Sequence, residues 1–238
     1  MTTLFISDLH LDDTRPAATE LFRAFASREA RHCEALYILG DLFEYWLGDD
    51  VLSESARLVA DALAALSEAG VACYFIHGNR DFLIGSDYAR QCGMQLLPEE
   101  WLLNLYGRPT LLLHGDTLCT DDTAYQAVRQ TLRSAEWQAE FLAQSPADRM
   151  AFARQAMDQS RDHKSSVSMD IMDVNADAVA ASFERHGVTD MIHGHTHRPA
   201  IHERSLADGA ARRIVLGDWY EQGSVLRVTA DGADLARL

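Results

Sequence analysis

Over roughly the first 94 residues, apolar strand-like runs alternate with helix-like stretches. The runs are Leu4 to Ser7, Ala35 to Leu39 and Val71 to Ile76; the helical stretches are Ala17 to Arg31, Ser55 to Ala69 and Ser86 to Cys92. That alternation predicts βαβ units around a parallel core. Apolar runs at Trp101 to Tyr106 and Thr110 to Leu113 flank Gly107-Arg108-Pro109, a turn signal that predicts a hairpin. From about Thr120 to Val174 the pattern changes. Tyr125, Val128, Leu132, Phe141, Met150, Ala153 and Met157 recur at helical spacing, broken at Ser145-Pro146, which predicts a helical insertion. A further helix at Ala176 to His186 precedes a strand at Val188 to Ile192. Strand-like stretches at Ala200 to Arg204, Arg212 to Leu216 and Ser224 to Val228 should then complete a second sheet. With no internal repeat or low-complexity linker, residues 1–238 read as a single domain carrying an insertion at about 120–174.

Composition narrows the class. The 238 residues are 47% hydrophobic and 24% charged, ordinary values for a soluble globular chain with one sizeable core. The formal net charge of -15, with no local basic cluster, would repel phosphate backbones, so no nucleic acid partner is expected. Lys164 is the sole lysine, and the remaining basic residues are arginines, suited to bidentate phosphate contacts. Cys33, Cys73, Cys92 and Cys119 lack metal-site spacing and read as reduced thiols of a cytosolic protein. No basic leader precedes the first strand, so no signal peptide is expected. No apolar run approaches the roughly 20 residues of a membrane-spanning helix, so membrane contact would be peripheral.

Chemistry clusters where the strands end. Asp8-Leu9-His10, Gly40-Asp41, Gly78-Asn79-Arg80-Asp81, His114-Gly115-Asp116 and Gly194-His195-Thr196-His197 each follow an apolar run. Taken singly, Asp8-Leu9-His10 fits a strand terminus or helix cap, and Gly-Asp or Gly-Asn fits a turn. Five such elements after five apolar runs instead gather carboxylates, imidazoles and an amide at one sheet edge. That donor set favours six-coordinate manganese, iron or a similar ion over an all-thiolate zinc site. Two such ions, bridged by one carboxylate and a solvent hydroxide, would perform phosphoester or phosphoanhydride hydrolysis. His77 and His193 read as packed or supporting groups, and Glu44 as an orienting or capping partner. Asp116 is expected to hold a histidine tautomer, and Asp81 to orient Arg80 or Asn79.

The ordered set D-x-H, GD-x-x-E, GNRD, HGD and GHTH, at residues 8–10, 40–44, 78–81, 114–116 and 194–197, resembles the calcineurin-like metallophosphoesterase superfamily. The resemblance implies an α/β fold: a sandwich of two mixed sheets flanked by helices, with a helical cap. It also implies two metal sites. Asp8, His10, Asp41 and His197 would surround one ion and Asp41, Asn79, His114 and His195 the other, with Asp41 bridging. Within the superfamily, Leu39-Gly40-Asp41-Leu42-Phe43-Glu44, His77-Gly78-Asn79-Arg80-Asp81-Phe82-Leu83, Asp170-Ile171-Met172-Asp173-Val174, Ile192 to Pro199 and Leu216-Gly217-Asp218-Trp219 look like the family of UDP-2,3-diacylglucosamine pyrophosphatases of lipid A synthesis.

That finer resemblance implies two Mn2+ ions per chain and water attack on the α-phosphorus of UDP-2,3-diacylglucosamine, releasing UMP and 2,3-diacylglucosamine 1-phosphate. The protein would act peripherally on the cytoplasmic side of the inner membrane. Asp41, Asn79, Arg80, His114 and His195 would carry the chemistry. Asn79, Arg80, Asp122, Ser160, Lys164 and His195 would touch substrate. Many superfamily members have histidine at the Arg80 position, able to protonate an alkoxide; arginine cannot, but it clamps a phosphate leaving group, which favours diphosphate cleavage. Lys164 and Val167 stand where an asparagine and a basic residue are usual, and Lys164 either supplies the positive charge or is solvated. Met150, Met157, Met169 and Met172 fill core or line an apolar pocket. The alternatives are a soluble nucleotide pyrophosphatase or phosphodiesterase of the same superfamily, and a non-catalytic scaffold of the same fold.

Overall fold

Strand alternation decides the layers. In the computed structural model, which describes residues 1–166, 173–206 and 209–238, eleven strands form two stacked sheets. The first contains β1 (Thr3–Ile6), β2 (Ala35–Ile38), β3 (Ala72–Phe75), β4 (Met94–Leu96), β10 (Ser224–Thr229) and β11 (Gly232–Arg237), in the order β11-β10-β1-β2-β3-β4. The second contains β5 (Glu100–Leu105), β6 (Arg108–Leu113), β7 (Asp190–His193), β8 (Ala200–Leu206) and β9 (Gly209–Val215), in the order β5-β6-β7-β9-β8. Both sheets are mixed: β1 to β4 run parallel, as do β6, β7 and β9, with antiparallel pairs at the flanks.

Period-2 side-chain alternation then sorts the apolar residues. Phe5, Tyr37, Leu112, Ile192, Ile214 and Leu226 fill the space between the sheets. Leu4, Ile6, Leu36, Ile38 and Phe75 point the other way, against helices α1 (Pro16–Arg28), α2 (Glu54–Glu68) and α3 (Ser86–Cys92). Leu111, Leu113 and Met191 back onto α7 (Ala176–His186) through Val179 and Phe183. Central strands buried on both faces read as unbroken apolar runs, which is why the sequence signals them so plainly. Helix ends are signalled by capping: Ser53 accepts from the Ala56 N–H to start α2, and Asn175 accepts from Asp177 and Ala178 to start α7.

Between β6 and α7 lie α4 (Thr123–Leu132), α5 (Ala135–Leu142) and α6 (Pro146–Ser166). The break between α4 and α5 escaped sequence analysis, although Ser134 marks it by capping Trp137. Three other expectations need correction. The final strands do not all complete the second sheet: β10 pairs with β1, and β11, absent from the sequence reading, extends that sheet's edge. Short β4 was also missed. The hairpin turns at Tyr106-Gly107, both with positive φ (52° and 92°), rather than at Gly107-Arg108-Pro109. A two-residue turn with two left-handed residues matches strand twist, so Arg108 and Pro109 fall inside β6. The four cysteines are free, as expected of thiols.

Candidate metal centre

The loops leaving β1, β2, β3, β6 and β7 are laced together by their backbones. Asp8 N–H donates to Gly40 O, His10 to Asp41 O and Leu11 to Leu42 O, all at 3.0–3.1 Å, while Gly194 N–H reaches His114 O at 2.8 Å. Six non-glycine residues among the described ones have positive φ, and five of them are Asp8, His10, Asp41, His195 and His197. A left-handed conformation costs a non-glycine residue about 1–2 kcal/mol, so the fold holds these side chains in place against local preference.

The side chains converge as metal ligands do. His197 Nε2 lies 3.3 Å from His10 Nε2 and 3.3 Å from Asp8 Oδ1. Asn79 Oδ1 lies 3.0 Å from His114 Nε2 and 2.9 Å from His195 Nδ1. Asp41 Oδ2 stands between the two groups, 3.8 Å from His10 Nε2 and 3.7 Å from His114 Nε2. Asp8 and Asp41 are fully buried, and each belongs to a compact cluster of donors, Asp8-His10-His197 and Asp8-Asp41-His114.

The outer nitrogens decide what these clusters accept. His114 Nδ1 donates to Leu39 O at 2.8 Å, which turns the Nε2 lone pair toward the Asn79 oxygen. His10 Nδ1 sits 2.9 Å from Glu44 Oε2, a close contact whose angle falls short of a hydrogen bond, and His197 Nδ1 sits 3.5 Å from Asp218 Oδ2. The two Nε2 atoms turn inward, 3.3 Å apart, beside Asp8 Oδ1. Potential ligand atoms packed this closely fit a shared cation; ligand atoms about 2.1 Å from one ion at right angles would be about 3 Å apart. Electrostatics agrees. Burial opposes a charged His114 imidazole, yet Asp41, Asp8 and Asp116 outweigh it and lift its pKa to about 9. Burial and the neighbouring His114 depress His195 to about 4. The donor set thus fits divalent ions, with His195 already neutral and a proton on His114 standing where a cation would act.

Supporting residues explain the rigidity. Asp81 is buried and accepts from four backbone amides: Gly78 and Asp41 on Oδ1 (3.0 and 3.3 Å), Leu42 and Phe43 on Oδ2 (2.7 and 3.3 Å). It therefore sets the β2 and β3 loops rather than orienting the Asn79 or Arg80 side chain. Burial, with the nearby Asp41 charge, pushes its carboxyl up to about 7, against those donors. Asp116 corrects another expectation. It holds no histidine tautomer but accepts from Tyr125 Oη and Arg129 Nε, both at 2.7 Å, tying α4 to the centre. His77 bonds Ile84 O at 2.7 Å, and His193 lies between Gly194 O and Arg213, so both are structural.

Of the residues expected to touch substrate, Arg80 lies beside the centre, with its N–H on Asp41 Oδ1 at 2.9 Å and its guanidinium 3.9 Å from Glu44. Asp122 caps α4 through Tyr125 N–H. Ser160 and Lys164 fall on α6, in its stretch of undescribed side chains, and Val167 lies outside the described residues. Two residues outside the sequence motifs join the centre: Tyr220, whose ring stacks on His10 at 5.2 Å, and Arg15, which caps that ring at 4.8 Å and bonds His10 O and Trp219 O. Arg133, likewise outside those motifs, donates to Gly78 O at 2.8 Å. Tyr220 follows the Leu216 to Trp219 run directly, a proximity that could have flagged it.

Comparisons with known proteins bear on this geometry. The sequence profile described as calcineurin-like phosphoesterase matches residues 1–199. UDP-2,3-diacylglucosamine hydrolase of Stenotrophomonas maltophilia (strain K279a) is 55% identical over 245 aligned residues, covering 100% of this chain and 99% of that protein. The protein of the same name from Xanthomonas axonopodis pv. citri (strain 306) is 54% identical, with the same coverage. The structure of an archaeal phosphodiesterase superposes with a TM-score of 0.50 at 11% identity, covering 100% of both chains, a likeness of fold alone.

Proposed function

The chain belongs to the calcineurin-like phosphoesterase family, and on that footing we propose that it hydrolyses the pyrophosphate bond of UDP-2,3-diacylglucosamine. Water attacks the α-phosphorus, giving UMP and 2,3-diacylglucosamine 1-phosphate. The observation that carries this reading is the convergence of potential ligand atoms, from Asp8, His10 and His197 on one side and Asn79, His114 and His195 on the other, around Asp41. These seven residues would hold two Mn2+ ions, which when bound lower the pKa of water and stabilise phosphoryl charge.

The chain's own groups supply the rest. Arg80, always charged, clamps the phosphate and cannot donate a proton, which suits a weakly basic phosphate leaving group. Asn79 and His195 face the same space and orient the phosphoryl oxygens. Helices α4 to α6 serve as a cap, and Asp122, Ser160 and Lys164 are the residues through which it would contact the sugar phosphate. Trp137, Phe141 and Phe152 of these helices form a linked aromatic series with Phe82 of the β3 loop, ring centroids 4.8–6.2 Å apart, with Phe141 buried and Phe152 39% exposed. Val128 and Leu142 are exposed on the same helices. Such apolar surface supports an acylated substrate over a soluble nucleotide, and an enzyme of that substrate would sit peripherally on the cytoplasmic side of the inner membrane. No helix among the described residues is long and apolar enough to cross a membrane.

The test is release of UMP from UDP-2,3-diacylglucosamine with Mn2+. Turnover should vanish on chelation and be far weaker on simple phosphomonoesters. Equal activity on acylated and deacylated UDP-sugar would overturn the lipid reading.

A further inference from the structure

A cavity of about 560 Å3 opens beside His197 and Asp218 and runs over the ends of β10 and β11. Its size falls within the range of small-molecule sites. The first sheet's order places it: β11 and β10 lie on one flank of β1, while β2, β3 and β4 lie on the other. The cap docks on that other flank, through Arg133 on Gly78 O and Arg149 on Leu47 O. The candidate ligands sit between. A diphosphate held at their centre therefore has two exits, one under the cap and one into this cavity.

We infer that the cavity is the subsite for the uridine half of the substrate, recognised by Gln222 and Arg237. This rests on the substrate proposed above. The walls are held by hydrogen bonds: Trp219 Nε1 donates to Ser224 O at 3.1 Å, Gly217 N–H to Ser224 Oγ at 3.3 Å and Leu238 N–H to Gly223 O at 2.9 Å. With its amide turned to satisfy both groups, Gln222 Oε1 accepts from Arg237 Nη1 and Nε, each at 2.9 Å. That pair fixes the guanidinium and leaves Nη2 as a donor for a pyrimidine carbonyl oxygen. Pro199 and Leu235 supply apolar walls for the ring, and Glu221 at the mouth is an acceptor for ribose hydroxyls. Tyr220 is not the stacking platform. Its ring already faces His10 and Arg15, so it partitions the ions from the nucleoside.

The test is calorimetric titration of UMP and of ribose 5-phosphate into full-length Mn2+-loaded protein, comparing wild type with Gln222→Ala and Arg237→Ala. Arg237 is exposed near the chain end, and unchanged thermal midpoints will show that the variants fold. UMP affinity should fall about tenfold in each variant, while ribose 5-phosphate changes by less than about twofold. Unchanged UMP affinity, equal losses for both ligands, or no UMP binding to the wild type overturns the subsite. If the wild type shows the UMP difference but releases no UMP from the lipid substrate, the substrate reading fails and the nucleotide subsite stands.

Discussion

Gly78→Ala adds one methyl group where Asp41 already sits. A Cβ built at Gly78 would lie 2.1 Å from Asp41 Oδ1 and 2.3 Å from Asp41 N, far inside contact distance. The nitrogen is backbone, pinned by Asp81, so the carboxylate and its loop must shift by about 1 Å. In an ordinary position Gly→Ala would stabilise by about 0.4–1 kcal/mol through the unfolded chain. Here overpacking costs about 1–3 kcal/mol, for a net loss near 1–2 kcal/mol and a fall in Tm of roughly 2–8 °C. The functional loss is larger in proportion, because a displacement of that size at a reacting centre costs about 100-fold in rate and supporting-group changes cost about 10–100-fold in metal affinity. Mn2+ titration, UMP release and thermal unfolding should be measured together, with Gly70→Ala as control. Gly70 has φ +88° and no atom within 4 Å of an added Cβ, so it should lose about 1 kcal/mol of stability and no metal affinity. A Gly78→Ala protein with wild-type Mn2+ affinity and turnover would refute the reasoning.

Three further outcomes are expected. Gly194→Ala, whose Cβ would meet Asp8 Oδ2 and Ser7 Oγ at 2.3 Å, should weaken Mn2+ binding about 10–100-fold, and a variant with unchanged metal content would contradict the packing of that glycine on Asp8. Arg149→Met should cost about 2 kcal/mol in urea unfolding and speed proteolysis within residues 123–166, because buried Arg149 links α6 to Leu47 O (2.6 Å) and Asp50 (2.5 and 2.8 Å); an unchanged unfolding midpoint and digestion pattern would show that this link does not hold the cap. Burial would raise the Asp190 carboxyl, yet Arg108 and Arg212 on β6 and β9 hold it below the usual range. Its stabilisation is therefore full above the ordinary carboxylate pKa and lost as pH falls through the lowered one. Asp190→Asn should cost about 2 kcal/mol at neutral pH, discounted for the half-exposed Arg108, and flatten the acid limb of stability against pH, whereas an unchanged acid limb would show that Asp190 is not held ionised.

What the sequence made legible follows from where information is local. Asp8, His10, Asp41, Asn79, His114, His195 and His197 each lie within a few residues after the end of an apolar strand, so apolar run and ligand are read together. Asp81 was misjudged because its partners are backbone amides of Leu42 and Phe43, which no side-chain identity announces. Long-range pairing hid the rest. Nothing near Ser224 says that β10 will lie against β1, and so, although its place after Trp219 could flag Tyr220, its contact with His10 and the clasp of Arg15 on both loops come only from the tertiary fold. Left-handed backbone at five candidate ligands is likewise set by the loops' mutual hydrogen bonds, not by residue type. Pro109 drew the turn signal, but a proline near a strand's start loses little, and its carbonyl still accepts from Thr189 N–H at 3.1 Å.

The most direct measurement is anomalous diffraction at the manganese edge from crystals of Mn2+-loaded protein. Two peaks are predicted, one among Asp8, His10 and His197 and the other among Asn79, His114 and His195, with Asp41 touching both. Absence of density there, or a single ion held without Asp41, would contradict the account.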